Sequence, residues 1–410
     1  MGFVCAFRGR RDSYQVPIAL AQAGQLDLFI TDHFAGPAER ALARLLPQQM
    51  SERVLSRYDE RIPQDRVRRL FGIAGAEALA RLAGVPAAHV YSTFDPMYGS
   101  AVARYARRHK SDLFVYSPYA FEAFSAAYRH LPRKILFQFH PHFRLENAIL
   151  VDDMRDSERQ GIFFDGQLES GATDGNDARQ RGDSAWQLAD HVVCASSFTK
   201  RSLVEAGADA AHITVIPYGV GPEAVPALPH GLEGNGFHAL FVGSGVQRKG
   251  LHHLLLAWRR ARLTSRSRLT VVSRTIDPGL FSIFQAVDNV NLLNGVTESE
   301  LSRLYNSATL FVMPSLVEGF GQVYLEALSH GLPVLGTANS CLPDLGNEND
   351  GVFVTAPANL DELVSKLETL APYLVGNSEI KQRARTCAAQ FTWERFRKAV
   401  QTIVHKPDRT

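Results

Sequence analysis

The chain has 410 residues, 45% of them hydrophobic, which is enough to fill the cores of two domains. Its formal net charge of +2 gives no general attraction to nucleic acid, and no apolar run approaches the ~18 residues that would span a bilayer. Cys5, Cys194, Cys341 and Cys387 lie far apart without CxxC spacing, so they read as buried thiols in a reducing, cytoplasmic compartment and not as a zinc site or disulfide frame.

The first strand-like run, 2–7, leaves no cleavable leader evident. A polar turn follows, Phe7-Arg-Gly9-Arg10-Arg-Asp-Ser. Pro17 fits only the first turn of a helix, so that helix is expected to start near 14–16. Gly9 and Arg10 are candidates to meet an acceptor or a phosphate, with a solvated turn as the competing reading. Residues 37–82 read as a helical insert with nine arginines against six acids. It is either a solvated helical pair or an amphipathic surface for anionic lipid.

Further strands are expected at 27–30, 113–116, 134–139, 191–195 and 213–217, then at 238–242, 269–272, 290–293, 310–313 and 334–336. Their alternation with helical stretches argues for α/β architecture, with parallel sheets wrapped by helices. Residues 152–183 are polar and Gly/Asp-rich and are expected to form an irregular excursion. Residues 219–236 are rich in Gly and Pro, which places a domain boundary there. The expected division is 1–220 and 221–390, each a doubly wound domain, with 391–410 as an amphipathic helix.

Three segments carry chemistry. His140 ends the apolar run 135–139 and precedes Pro141, a position biased away from helix and facing the cleft. It can orient a hydroxyl or move a proton, or serve only the structure. His142 is a weaker candidate, and His252 and His253 read as structural. The second segment, Phe241-Val-Gly243-Ser244-Gly245-Val-Gln-Arg248-Lys249-Gly250, closes a strand and opens a helix. Its glycines let the backbone approach an anion, and its two cations supply charge. The third, Pro-Ser-Leu-Val-Glu318-Gly-Phe-Gly-Gln-Val-Tyr-Leu-Glu326, sets one acid on a strand-to-helix turn and the other about a turn into the helix. Taken alone, Glu318 reads more readily as a solvated turn acid or a helix N-terminal charge, and Glu326 as an exposed helical residue. Together, at the carboxyl edge of a sheet, they suit an elongated ligand of sugar, diphosphate and ribose. No His/Asp/Glu cluster shows metal-ligand spacing, so no protein-bound metal is expected.

These motifs resemble the signature of the retaining glycosyltransferases of family 4, with its two glutamates eight positions apart and a trailing Ala-Leu-Ser-His-Gly-Leu-Pro-Val. The 241–250 turn, Ala189-Asp-His-Val-Val-Cys-Ala-Ser-Ser197 and Ile216-Pro-Tyr-Gly-Val220 agree with it. The likeness extends from about residue 134 onward. It implies the GT-B fold, two Rossmann-like domains facing each other across a cleft, with the last helix crossing back to the N-terminal one.

The resemblance also implies roles for individual residues. Glu318, with the backbone of Phe320 and Gly321, would hold hydroxyls of the transferred sugar, and Glu326 would hold the ribose. Arg248 and Lys249 would neutralise the diphosphate, and His140 would sit by the anomeric carbon. Gln322, Gly243 and Ser244 would border the donor, and Val296 would meet the base. The family often has Arg where this chain has Ser244, and paired glycines where it has only Gly9.

The expected activity is transfer of a hexose-type sugar from a nucleotide-diphosphate donor to a hydroxyl of a glycan or lipid-linked acceptor. The anomeric configuration would be retained, and no bound cofactor is expected beyond the donor as co-substrate. A nucleotide-sugar epimerase or phosphorylase on the same architecture, or an inactive sugar-nucleotide-binding subunit, are the competing readings. Donor sugar, acceptor and oligomeric state are not encoded in these motifs.

Overall fold

Short strands, most of them buried on both faces, alternate with helices to give two parallel sheets in a computed structural model that describes residues 2–165, 181, 183–221 and 236–405. Among the described residues, seven strands form the first sheet: β1 Phe3–Ala6, β2 Leu26–Thr31, β3 Val67–Arg69, β4 Asp112–Tyr116, β5 Lys134–Gln138, β6 His191–Cys194 and β7 Ile213–Val215. Six form the second: β8 His238–Val242, β9 Arg268–Val272, β10 Val290–Leu293, β11 Leu310–Met313, β12 Val334–Thr337 and β13 Val352–Thr355. Strands such as Leu-Phe-Val-Met of β11 are apolar throughout because helices cover both faces.

Strand order locates the functional edge. The first sheet runs β3-β2-β1-β4-β5-β6-β7 and the second β10-β9-β8-β11-β12-β13. The order therefore reverses between β1 and β4 in one and between β8 and β11 in the other. A doubly wound sheet opens a crevice for ligands at that point, beyond the carboxyl ends of its strands. The segment starting at Gly243 leaves β8, and the segment reaching Glu318 leaves β11. In the first sheet the corresponding exits are the Gly9–Asp12 turn and Tyr116.

Two sequence expectations need correction, and one strand is absent from them. The 37–82 insert is not wholly helical, because Val67–Arg69 adds to the edge of the first sheet through pairing with β2. That strand is only three residues long and owes its form to its partner, so local pattern does not reveal it. The 152–159 part of the supposed excursion belongs to the helix Phe143–Arg159, where Arg155–Asp152 (3.3 Å) and Arg159–Asp156 (2.6 Å) pair along the surface. Val352–Thr355 is an unanticipated edge strand. Residues 166–180 and 182 of the 152–183 excursion, and 222–235 of the 219–236 stretch, lie outside the described residues.

The domains meet over a small apolar core: Leu150 and Phe198 from the first pack with Leu316 and Val317 from the second. The chain also passes between them twice. Near residue 220 and again near 392 the two passes touch, with a bridge between Val220 and Thr392 and a Val220 N–H bond to Phe391 O (3.0 Å). The final helix, Trp393–His405, then buries Phe396, Val400, Ile403 and Val404 in the first domain's core. Arg397 donates to Gln15 Oε1 (2.6 Å) on that surface. All four cysteines are free and buried. Among the described residues, no helix is long and apolar enough to cross a membrane.

Candidate functional site

Leaving β11, the chain turns at Ser315–Gly321 and enters the helix Gln322–Ser329. This turn is fixed from both sides. Leu316 N–H donates to Arg248 O (2.9 Å), and Glu318 N–H donates to Asn339 O (2.9 Å). Gly319 packs so closely on the first domain that a Cβ there would collide with Phe139 O and come within 3.4 Å of His140 Cα. Ser196 Oγ (2.5 Å) and Thr199 Oγ1 (3.2 Å) donate to Gly319 O across the same junction. Gly321, at φ +83°, caps the helix in a conformation that disfavours other residues. The fold thus seats His140 beside the turn that carries Glu318.

Glu318 is buried and ion-pairs with Lys249 Nζ and with Arg248 Nη1 (3.3 Å). Arg248 Nη1 also donates to Val317 O (3.2 Å). Burial alone would raise the Glu318 carboxyl, but Lys249 and Arg248 outweigh it and hold the group below its ordinary range. Glu326, in the helix, accepts from Tyr305 Oη (3.4 Å), and burial lifts its carboxyl. The two acids therefore have opposite electrostatic settings: Glu318 is fixed as an anion by cations, and Glu326 is a partly desolvated acceptor. Phe320 is buried edge-on against Tyr218 (5.0 Å), and Gln322 begins the helix, half-buried.

The glycine-rich turn is anchored through its own backbone. Gly243 N–H donates to Val272 O (3.0 Å), and Gly245 N–H donates to Thr275 O (2.7 Å) and Ser273 Oγ (3.1 Å). Those two donors tie the turn to β9 and its exit, so they are not presented to an anion. Ser244 between them is exposed. Val296 is half-buried against the second core, after Gly295 at φ +77°.

Two family models match the chain. Residues 40–224 match Glycosyltransferase Family 4, and residues 236–372 match Glycosyl transferases group 1. Together they cover most of the sequence. The chain belongs to the family 4, group 1 glycosyltransferases. It is 27% identical over 202 residues to an MMP alpha-(1->4)-mannosyltransferase of Mycolicibacterium hassiacum, covering 45% of this chain and 49% of that one. The chain thus spans about half the length of this curated relative. Sucrose-phosphate synthase from Thermosynechococcus elongatus shares the fold with a TM-score of 0.65 at 16% identity, over 98% of both chains. Anabaena HepE, solved in complex with UDP, does so with a TM-score of 0.60 at 16% identity, over 98% of this chain and 99% of that one. The fold is GT-B.

The opposite face of the cleft of this family 4 chain holds groups that the sequence did not single out. After β1, Asp12, Ser13 and Tyr14 adopt φ of 38°, 48° and 62°, three successive non-glycine residues in the left-handed region. Tyr116 Oη, at the end of β4, donates to Asp12 Oδ2 (2.5 Å). Arg11 lies over the Phe139 ring at 3.8 Å, next to His140. Burial pushes the enclosed Asp12 carboxyl up to about 7, against the Tyr116 bond and Arg11. Behind them, Arg8 pairs with Glu77 and with Asp95 (3.0 Å). These residues come from separate elements, so no local spacing announces them. Gly9 N–H is held by Asp32 Oδ1 (2.9 Å). Arg10 instead lines a neighbouring cavity of about 1050 Å³, together with Ser13, Tyr58, Arg385, Trp393 and Arg397.

A last cluster escaped the spacing rule for metal ligands. Asp153 meets His252 and His253 from the other domain, with ligand atoms all within 4.8 Å of one another. Burial opposes the charge on Asp153, but the two imidazoles hold it ionised well below the usual range. Burial and the adjacent His253 push His252 down to about 4.

Proposed function

We propose that the chain transfers a hexose-type sugar from a nucleotide-diphosphate donor to a hydroxyl of a glycan or lipid-linked acceptor, retaining the anomeric configuration. The observation that carries this reading is the convergence of Glu318, Lys249 and Arg248 at the reversal point of the second sheet, against His140 of the first. Without donor, the carboxylate and the two cations neutralise one another. A bound donor divides them: the diphosphate takes Lys249 and Arg248, and Glu318 turns to hydroxyls of the sugar beside Phe320 and Gly321. Glu326, with Tyr305 behind it, accepts from the ribose. Gln322 and Ser244 border the diphosphate, and Val296 adjoins the base.

As the glycosidic bond breaks, negative charge grows on the leaving diphosphate. Lys249, Arg248 and the amino end of the Gln322–Ser329 helix stabilise that charge. The acceptor hydroxyl attacks the same face and passes its proton to the leaving phosphate, while His140 orients the reacting sugar. Domain contact at Gly319 excludes water that would hydrolyse the donor. HepE is a GT-B neighbour solved with UDP, and a matched relative is named a mannosyltransferase. Uridine- and mannose-bearing donors therefore head the panel to be tried. Arg10 and its cavity are the candidate contact for the acceptor.

Bilayer attachment fits a lipid-linked acceptor. The 37–82 insert exposes Leu42 (60%), Leu45 (81%), Leu79 (68%) and Leu82 (85%) among its arginines. Such a surface can rest on anionic lipid.

The deciding experiment assays a panel of nucleotide sugars with and without acceptors. Transfer with retained configuration, lost in Glu318→Ala, supports the assignment. A product formed without acceptor, or a requirement for inorganic phosphate, favours an epimerase or phosphorylase. Binding without turnover leaves a sugar-nucleotide-binding subunit.

A further inference from the structure

The turn bearing Arg248 and Lys249 is gripped from the opposite domain by one carboxylate. Asp153 lies on the helix Phe143–Arg159 and is buried. Its Oδ2 accepts from Gln247 Nε2 (2.8 Å), and its Oδ1 accepts from His252 Nε2 (3.2 Å) and His253 Nε2 (2.6 Å). Gln247 immediately precedes the two cations, and the histidines open the helix Leu251–Arg260 that follows them. Both flanks of the cationic turn are therefore tied to a single side chain. The Gln247 amide also donates to Leu150 O (2.8 Å), and Leu150 packs on Leu316 and Val317 just before Glu318. The same helix starts at Phe143, three residues after His140. One rigid element thus touches the cationic turn, the acidic turn and the histidine strand end.

We propose that Asp153 is a positioning residue for the reaction, holding Arg248 and Lys249 in their productive place only while the two domains are docked. The proposal rests on the catalytic reading given above. Asp153 touches no substrate and acts through Gln247, His252 and His253. The geometry is that of hydrogen bonding: His253 and Asp153 are 2.6 Å apart, whereas two ligands on one tetrahedral zinc, each at about 2.0–2.1 Å, lie roughly 3.3 Å from each other. A misplacement of about 1 Å in a group that stabilises a transition state lowers the rate by roughly 100-fold.

The test is Asp153→Asn, which keeps the shape but turns an amide toward donors that need an acceptor. The expected result is a fall in kcat of roughly 10- to 100-fold, with donor KM changed by less than about 3-fold. Hydrogen exchange of 247–253 should accelerate about 10-fold or more, with the second domain's core strands unaffected. Asp344→Ala removes a different interdomain bond, from Ser197 N–H (2.7 Å), and should leave kcat within about 2-fold. If Asp153→Asn fails to fold, His253→Gln carries the same comparison. Unchanged kcat and exchange in Asp153→Asn overturn the proposal, as does an equal loss in Asp344→Ala. So does one equivalent of Zn²⁺ bound by the wild type and lost in Asp153→Asn. A wild type that turns over no nucleotide sugar removes the catalytic reading alone, and the exchange comparison still decides the clasp.

Discussion

The two faces of the cleft are built by different means. On the second domain, two continuous stretches, 243–250 and 314–326, supply the candidate acid, both cations and the helix amino end. On the first, the turn after β1 (Arg8, Arg11 and Asp12) meets Asp95 of a helix, Tyr116 at the end of β4 and His140 beyond β5, four distant stretches knit by long-range bonds such as Tyr116–Asp12 and Arg8–Asp95. The second domain's side is a local motif, contained in two short stretches of sequence. The other side is an assembly that only the tertiary fold produces. On the proposed function the second domain would meet a nucleotide diphosphate, common to many enzymes, and the first a more variable acceptor, and the contrast suits that division.

Substitutions can break this contrast in order of effect. Glu318→Ala removes the proposed sugar contact and takes from Lys249 and Arg248 the buried carboxylate they pair with. Transfer, read as kcat/KM, should fall by roughly 1,000-fold. Near-normal turnover would discard the donor-side assignment. Lys249→Ala should lower kcat by about 100-fold, more than it raises donor KM, because the charge it stabilises grows during the reaction. An effect confined to KM would make Lys249 a ground-state contact only. Glu326→Ala should act mainly on donor binding, raising KM by about 10-fold. Calorimetric titration with nucleoside diphosphate checks it.

On the first domain the readout is pH. Asp12, near 7, is neutral in the folded chain where the unfolded chain has already ionised it. The folded state binds more protons across pH 4–7, so stability falls as pH rises through that window and levels off above it. Asp95, lifted to about 6 mainly by burial, adds to the same slope. Asp12→Asn should flatten the Tm–pH curve between pH 4 and 7, and an unaltered curve would mean that the carboxyl is ionised throughout. The smallest effect concerns lipid. Leu45→Glu with Leu82→Glu should lower sedimentation with anionic vesicles by about 3-fold and leave transfer to a soluble acceptor unchanged. No sedimentation by the wild type at low salt would dismiss bilayer docking.

The sequence reveals the two halves unequally for the same reason. Strands buried on both faces, such as 310–313, declare themselves by apolar runs, and Glu318 and Glu326 by spacing within one strand–turn–helix. Val67–Arg69 is hidden because it is a strand only by virtue of β2. The 152–159 helix is hidden by its charge, and with it goes Asp153, whose partners lie about a hundred positions away. The glycine-rich turn shows itself by composition, but the bonds of its N–H groups at 243 and 245 to the neighbouring strand and its exit do not. Period and motif report on short-range order. Hydrogen bonds across the interface obey no such period.

The paired passes near Val220 and Thr392 have a mechanical consequence. Because they lie side by side, the halves are joined as a door to its frame, by two leaves on one pin. Two crossings side by side resist sliding and full separation more than they resist rotation about the line through them.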